Sequence, residues 1–194
     1  MPTKRKQQSL ETKERIIEQA MTLYKKSGYN NVKITDICEA SGISIGGFYH
    51  HFKTKEDIIN QVYIGFDAHL SDLLKDKEFS SCSSAILFII ENELNYSQKS
   101  GVQITLMIFQ LQLTSLKKQI VDENRYINLS LEKYILNGIA SGEFNSDINV
   151  KEIIQWILRT SRGVIYDWCL HEGNYDLVQA GLHDVAFIID HLLK

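Results

Sequence analysis

The stretch TDICEASGISIGGFYHHFKTKED, from Thr35 to Asp57, decides the reading of the fold. Thr35 offers a hydroxyl that can cap a helix, and Asp36 suits the positive end that a helix N-terminus presents. Ile37 and Ala40 then supply a short apolar face before Gly42. Gly42 can take the positive φ of a tight turn, Ile43 can plug the space between two helices, and Ser44 can cap the second. Ile45, Phe48 and Phe52 fall at i, i+3 and i+7, so they are expected to face inward, with Gly46, Gly47, Tyr49 and His50 on the outer side. The spacing predicts a helix-turn-helix whose second helix enters a DNA major groove by its N-terminal residues.

Two adjacent glycines inside a helix cost roughly 1 kcal/mol each relative to alanine. Close approach of the backbone to DNA accounts for Gly46 and Gly47, and so does a weakly formed surface turn. Thr54 and Asp57 have capping-box spacing, and Lys53 and Lys55 flank the new helix start. Backbone donors and cations therefore converge where a phosphate fits, although lysines taken singly fit a solvated surface equally well. Tyr49 is placed to give its phenol to another phosphate. Base reading is harder to assign, because Ser44 to Phe52 has no Arg, Asn or Gln for bidentate contacts to guanine or adenine. His50 is the best single candidate, with Tyr49 and the surface near Ile45 and Gly46 available to thymine methyls.

This segment resembles the DNA-binding signature of the TetR/AcrR family of repressors. The first helix, from about Leu10 to Tyr29, fits the same pattern, whereas the rest of the chain resembles the family in length and helicity. The resemblance implies a dimer of all-helical subunits. It also implies that Thr35, Tyr49 and Lys55 meet phosphates, that Ser44 to His50 lies in the major groove, and that Phe48 and Phe52 are core.

Outside this segment the chain also reads as helix. Its one proline is Pro2, and no alternating run flanked by a hairpin turn appears. Glycines punctuate it: Gly28 follows Lys25 and Lys26 as a residue just past a helix end would, and Gly101, Gly142 and Gly173 mark further breaks. The start and stop rules give about nine helices, near 10–27, 35–41, 45–51, 55–76, 80–98, 102–115, 118–140, 149–172 and 175–193. The expected class is all-α, with a three-helix DNA-binding domain over residues 1–54 and a larger ligand-binding and dimerisation bundle over 55–194.

Charge follows the same division. Residues 1–64 hold 10 Lys+Arg against 7 Asp+Glu, and the remainder holds 11 against 17, within a net charge of −3. A basic head on an acidic body suits DNA binding, although a difference of a few charges also arises by chance. Lys4, Arg5 and Lys6 fit either an arm touching DNA or a solubilising tail. The apolar run from Ala85 to Ile90 is broken by Glu91 and Glu93, too short for a membrane span. Polar residues after Lys6 also fill the place of a signal-peptide core, so a cytoplasmic protein without membrane partners is expected. Cys38, Cys82 and Cys169 are odd in number and lack metal-ligand spacing, which argues for reduced thiols and no metal site.

In the body, Phe66, Phe88, Met107, Phe109, Tyr126 and Trp156 suit either an apolar pocket or ordinary core. Asn92 and Glu93 follow Phe88, Ile89 and Ile90 at helical spacing and are candidates for a buried polar site. A buried Glu93 requires a cation such as Arg159 or Arg162, or a positively charged ligand. Gln110 and Thr160 are further polar candidates. Ile157, Val164 and Trp168, with Leu182, Val185, Ala186, Ile189 and Leu193, form apolar surfaces on the last two helices. These either pair with their copies, as the family implies, or are covered within one subunit.

No histidine pair has zinc-protease spacing, and there is no nucleophile elbow or phosphate-binding loop, so an enzyme and a cofactor are not expected. The expected function is a repressor of an inverted-repeat operator, released by a small-molecule effector. The alternative is an architectural DNA-binding protein that senses nothing. A cavity lined by Phe66, Met107 and Tyr126 favours the sensor; a solid body favours the alternative.

Overall fold

The computed structural model describes residues 4–115 and 118–193, with side chains up to His191. Among these residues it is all-α, with nine α-helices and no strand. They are α1 (Lys4–Ser27), α2 (Ile34–Ser41), α3 (Ile45–His51), α4 (Lys55–Leu74), α5 (Cys82–Ser100), α6 (Val102–Thr114), α7 (Tyr126–Ser141), α8 (Val150–Leu170) and α9 (Leu177–Ile188). Short 3-10 turns cover Tyr29–Asn31 and Gln119–Val121, and a π-turn, Ile189–Leu193, extends α9.

Most stops lie where the glycines predict. Gly42 closes α2 at φ 63°, a left-handed conformation that costs a glycine little. Gly142 does the same for α7, its N–H donating to the carbonyls of Gly138 and Ile139.

Three expectations of local structure need correction. α1 begins at Lys4, so Lys4, Arg5 and Lys6 continue the helix instead of forming a loose arm or tail. α2 is not capped by Thr35: it begins one residue earlier, and the Asp36 carboxylate accepts from the Lys33 N–H at 2.8 Å. α7 begins at Tyr126 and not near residue 118, where Lys118 Nζ donates to the carbonyls of Gln112, Leu113 and Ser115 at the end of α6. The Gln112 side chain holds the same connection by accepting from the Ile120 N–H at 3.0 Å.

Two apolar clusters form the interior. The first joins Ile16 and Ala20 of α1, Ile37 and Cys38 of α2, Phe48, Phe52, and Ile58 and Ile59 of α4 to Ile104, Met107 and Ile108 of α6. The second fills the body, from Phe66 and Leu70 of α4 through α5, α7 and α8 to Val185 and Ile188 of α9. α4 therefore belongs to both, and α6 reaches into the head. Gly181 lets α9 lie on α5, since a Cβ there would sit 2.5 Å from Leu94 Cδ1.

The last two helices bury much of what the sequence assigned to a dimer face. Ile157, Trp168, Val185 and Ile189 are inside the subunit's own core, and Trp168 Nε1 donates to the Tyr175 carbonyl at 3.0 Å. Val164, Leu182 and Ala186 are half-buried, and the Leu193 side chain lies outside the described residues. Among the described residues the exposed large apolar side chains of α8 and α9 are Trp156, Tyr166, Leu170 and Phe187.

Candidate DNA-reading surface and effector cavity

α3 is seven residues long and stands on Phe48, which is fully buried, and on Phe52 just beyond it. The Ser44 hydroxyl accepts from the Gly47 N–H at 3.0 Å, so the predicted cap is present. Ile45 faces outward, 51% exposed, because the α3 turn sets Phe48 and not Ile45 against the head core. Ala40 is exposed too, with Cys38 in its place beside Ile37. The outer surface of α3 is thus Ile45, Gly46, Tyr49 and His50, with Gly47 half-buried. A Cβ at Gly46 would meet nothing nearer than Ser44 Oγ at 3.9 Å, so internal packing does not demand a glycine there.

The start of α4 carries the predicted capping box: Thr54 Oγ1 accepts from the Asp57 N–H, and Asp57 Oδ2 accepts from the N–H groups of Lys53 and Thr54. The Lys53 side chain is exposed on this end. Lys55 is turned inward instead. Its Nζ donates to the carbonyls of Tyr29 and Val32 at 2.8 and 2.6 Å and lies 4.3 Å from the Tyr29 ring centroid. Desolvation by burial holds its ammonium below the usual lysine range. Lys55 therefore ties α4 to the turn after α1, whereas Tyr49, 54% exposed, stays available to solvent. Thr35 is also exposed, its hydroxyl 3.4 Å from Asp36 Oδ1.

Between the head and the far end of the body lies a cavity of about 60 Å³, room for a few water molecules. Its walls come from Val62, Tyr63 and Phe66 of α4, Glu93, Tyr96, Ser97 and Ser100 of α5, and Thr105, Ile108 and Phe109 of α6. Ile120, Arg125, Arg162 and Ile165 complete the lining. Glu93 lies deep among the helices yet keeps accessible surface, because it borders this space. Desolvation by burial raises its pKa; a 2.6 Å hydrogen bond from Ser161 Oγ and the charges of Arg125 and Arg162 oppose that rise.

Arg125 grips Asp67 with two hydrogen bonds of 3.0 and 2.8 Å, its guanidinium 4.8 Å from the Tyr63 ring centroid. Arg162 donates to the Ile120 carbonyl at 3.2 Å. Among the described residues the buried Tyr63 hydroxyl has no protein hydrogen-bond partner, and it borders this cavity, which has room for water.

Of the sequence candidates for ligand contact, the structure brings Phe66 and Glu93 to this cavity, with Phe109 beside them. The others sit elsewhere. Phe88 packs on Phe79 under Lys77, and the Asn92 amide donates to the Phe88 carbonyl of its own helix. Met107 and Gln110 border a surface cleft between α1 and α6, and Tyr126 packs on the body core. Trp156 is 38% exposed on α8, and Thr160 lies in a shallow cleft with Asp167 and Tyr175. Of the two cations expected near Glu93, Arg162 lines the same cavity, and Arg159 bonds Gln155 at the surface.

Tyr63 and Tyr96 were missed, although each lies three residues from a named neighbour on the same helix, Phe66 and Glu93. Arg125 and Ser161 arrive from distant elements and leave no local signal. Among the described residues no cluster of His, Cys, Asp or Glu could hold a metal, and no helix is long and apolar enough to cross a membrane.

Two family models match the chain. Residues 16–62 match the model of bacterial regulatory proteins, tetR family, and residues 42–190 match that of the YsiA-like protein C-terminal region. The fatty acid metabolism regulator protein of Bacillus subtilis strain 168 is 25% identical over 170 residues, 84% of this chain and 86% of that one. The fold is similar to the transcriptional regulator FadR from Bacillus subtilis in complex with stearoyl-CoA: TM-score 0.69, 22% identity, 90% and 96% of the two chains. It is also similar to a putative transcriptional regulator from Saccharomonospora viridis in complex with choline, with TM-score 0.68, 20% identity, and 94% and 97% covered. With the helix-turn-helix in the first model and nearly all of the body in the second, the chain belongs to the TetR family of bacterial regulatory proteins, as a DNA-binding transcriptional regulator.

Proposed function

We propose that the protein is a homodimeric repressor that leaves an inverted-repeat operator in the cytoplasm when a small molecule occupies the cavity among α4, α5, α6 and α8. The observation that carries this reading is the sharing of Ile108, which lines the cavity and also packs in the head core. α4 joins the same two places, with Tyr63 and Phe66 at the cavity and Ile58 and Ile59 under the DNA-reading helix. An occupant larger than the present space has to move these residues, and the head moves with them.

A cavity in the body bordered by Glu93 and Arg162 favours the sensor over an architectural protein, for which a solidly packed body would suffice. The exposed stripe of Trp156, Tyr166, Leu170 and Phe187 suits pairing of α8 and α9 across a two-fold axis, which an operator with two half-sites also requires. Ser44, Ile45, Gly46, Gly47, Tyr49, His50 and Lys53 face the DNA in this reading, with Thr35 at an adjacent phosphate.

Selection of bound sequences from random duplex DNA, followed by binding at several salt concentrations, tests the reading. An inverted repeat bound by a dimer with salt-dependent affinity is expected. A folded protein that prefers no duplex over another would remove the regulatory role from this site.

A further inference from the structure

The polar groups around the cavity are not equally free. Arg125 is held by Asp67, and Arg162 donates to the Ile120 carbonyl. Ser100 and Thr105 give their hydroxyls to the carbonyls of Tyr96 and Ser97. Two oxygens differ. Ser161 donates to Glu93 Oε2 at 2.6 Å, and among the described residues nothing donates to Glu93 Oε1. The buried Tyr63 hydroxyl is likewise without a protein partner. Glu93 and Arg162 both act electrostatically on the Tyr63 phenol, so these side chains lie close together. Without a ligand, water can serve both oxygens. A phenol can donate, and a carboxylate accepts, so a ligand group that serves both has to accept and donate. A hydroxyl does so at a single atom, whereas an ether or a carboxylate only accepts.

The charges point the same way. At the cavity Asp67 offsets Arg125, and Glu93 stands against Arg162. In the two surface clefts beside it, Glu123 and Glu132 stand against Lys151 and Arg159. Formal charges therefore cancel among these lining residues, and a charged head gains no net attraction to set against its lost hydration. Phe66, Ile108 and Phe109 offer apolar surface to the rest of a ligand.

We infer that the effector is a neutral amphiphile whose hydroxyl accepts from the Tyr63 phenol and donates to the Glu93 carboxylate, with its apolar part against Phe66, Ile108 and Phe109. This rests on the cavity being the effector site. Tyr63 and Glu93 are then the specificity-determining pair, because a ligand that displaces their water without replacing its hydrogen bonds leaves both groups unsatisfied.

The test uses four probes of similar size: octanol, its isomer heptyl methyl ether, octanoate and octylamine. Calorimetry at neutral pH measures their binding to the full chain, native and with Tyr63→Phe, Glu93→Leu or Ser97→Leu, each variant checked for helicity. Octanol is expected to bind about tenfold more tightly than each of the other three. Tyr63→Phe and Glu93→Leu each erase most of octanol's lead over the ether and leave the ether's own affinity undiminished, which a general loosening of the body would not do. Ser97→Leu fills the cavity and weakens all four. An ether that binds the native protein as well as octanol, a lead that survives Tyr63→Phe, a charged probe that binds as tightly as octanol, or no binding of any probe overturns the head-group assignment. A folded Ser97→Leu protein that binds octanol undiminished overturns the cavity as the effector site instead.

Discussion

Ser161 Oγ on α8 donates to Glu93 Oε2 on α5 across 2.6 Å, and this is the hydrogen bond that holds the deepest carboxylate of the body. It offsets part of the cost of burying a charge and leaves Glu93 short of the solvation that water would give. The nearby guanidiniums complete the balance at a distance, since Arg125 is taken up by Asp67 and Arg162 by the Ile120 carbonyl.

The first prediction concerns pH. Burial raises the Glu93 pKa above its ordinary 4.5, so the folded chain holds that proton more tightly than the unfolded one. Its penalty is absent below the unfolded pKa and grows as pH rises through the folded one. Glu93→Gln keeps an acceptor for Ser161 and removes the charge. Denaturant unfolding should show the variant more stable by roughly 1 kcal/mol at neutral to alkaline pH, with the gap closing on acidification. A gap that widens as pH falls would reverse the sign of the assignment.

The second prediction concerns the Arg125–Asp67 pair, whose side chains are 8% and 16% exposed. Asp67→Ala strands a guanidinium against the Tyr63 and Phe66 rings and should cost about 3 kcal/mol. Adding Arg125→Met should recover much of that loss, since it removes the uncompensated charge. Additive losses in a double-mutant cycle would show that the two residues do not act as a pair.

The helix-turn-helix was legible because its signals are local: the turn at Gly42, the cap at Ser44, the capping box at Thr54 and the buried Phe48 each depend on residues within a few positions. Helical period was equally legible in the body, but the period alone does not say which side of an apolar helix meets its own core. Trp168 and Val185 face inward, whereas Trp156 and Phe187 do not, because α5 lies against one side of α8 and α9. The cavity was half visible for the same reason. Phe66 and Glu93 stand out on their own helices, while Arg125 and Ser161 meet them through tertiary packing that no spacing encodes.

Two lysines two residues apart should behave differently, which gives the third prediction. Lys53 is exposed at the α4 start, and its replacement by alanine should lower the slope of log affinity against log salt by about one unit. Lys55 secures the carbonyls of Tyr29 and Val32, so Lys55→Ala should destabilise the head by about 1–2 kcal/mol and leave the salt slope nearly unchanged. A fall in slope for Lys55→Ala equal to that for Lys53→Ala would place its ammonium at a phosphate in the complex.

Gly46 provides the last prediction, because stability and binding should move in opposite directions there. Its φ is not positive, and a Cβ would find Ser44 Oγ at 3.9 Å, an ordinary contact, so alanine fits the folded chain without strain. Alanine also favours a helix by about 1 kcal/mol over glycine, which for a domain of this size raises Tm by ~2–4 °C. A protein selected for packing alone would gain from that exchange. If α3 presses its backbone against a groove floor, the added methyl group holds the helix away, and Gly46→Ala should bind the operator about tenfold more weakly while melting later. A variant that melts later and binds the operator as tightly as the native protein would mean that the glycines do not serve close approach, and the sequence readout would then fall to Tyr49 and His50.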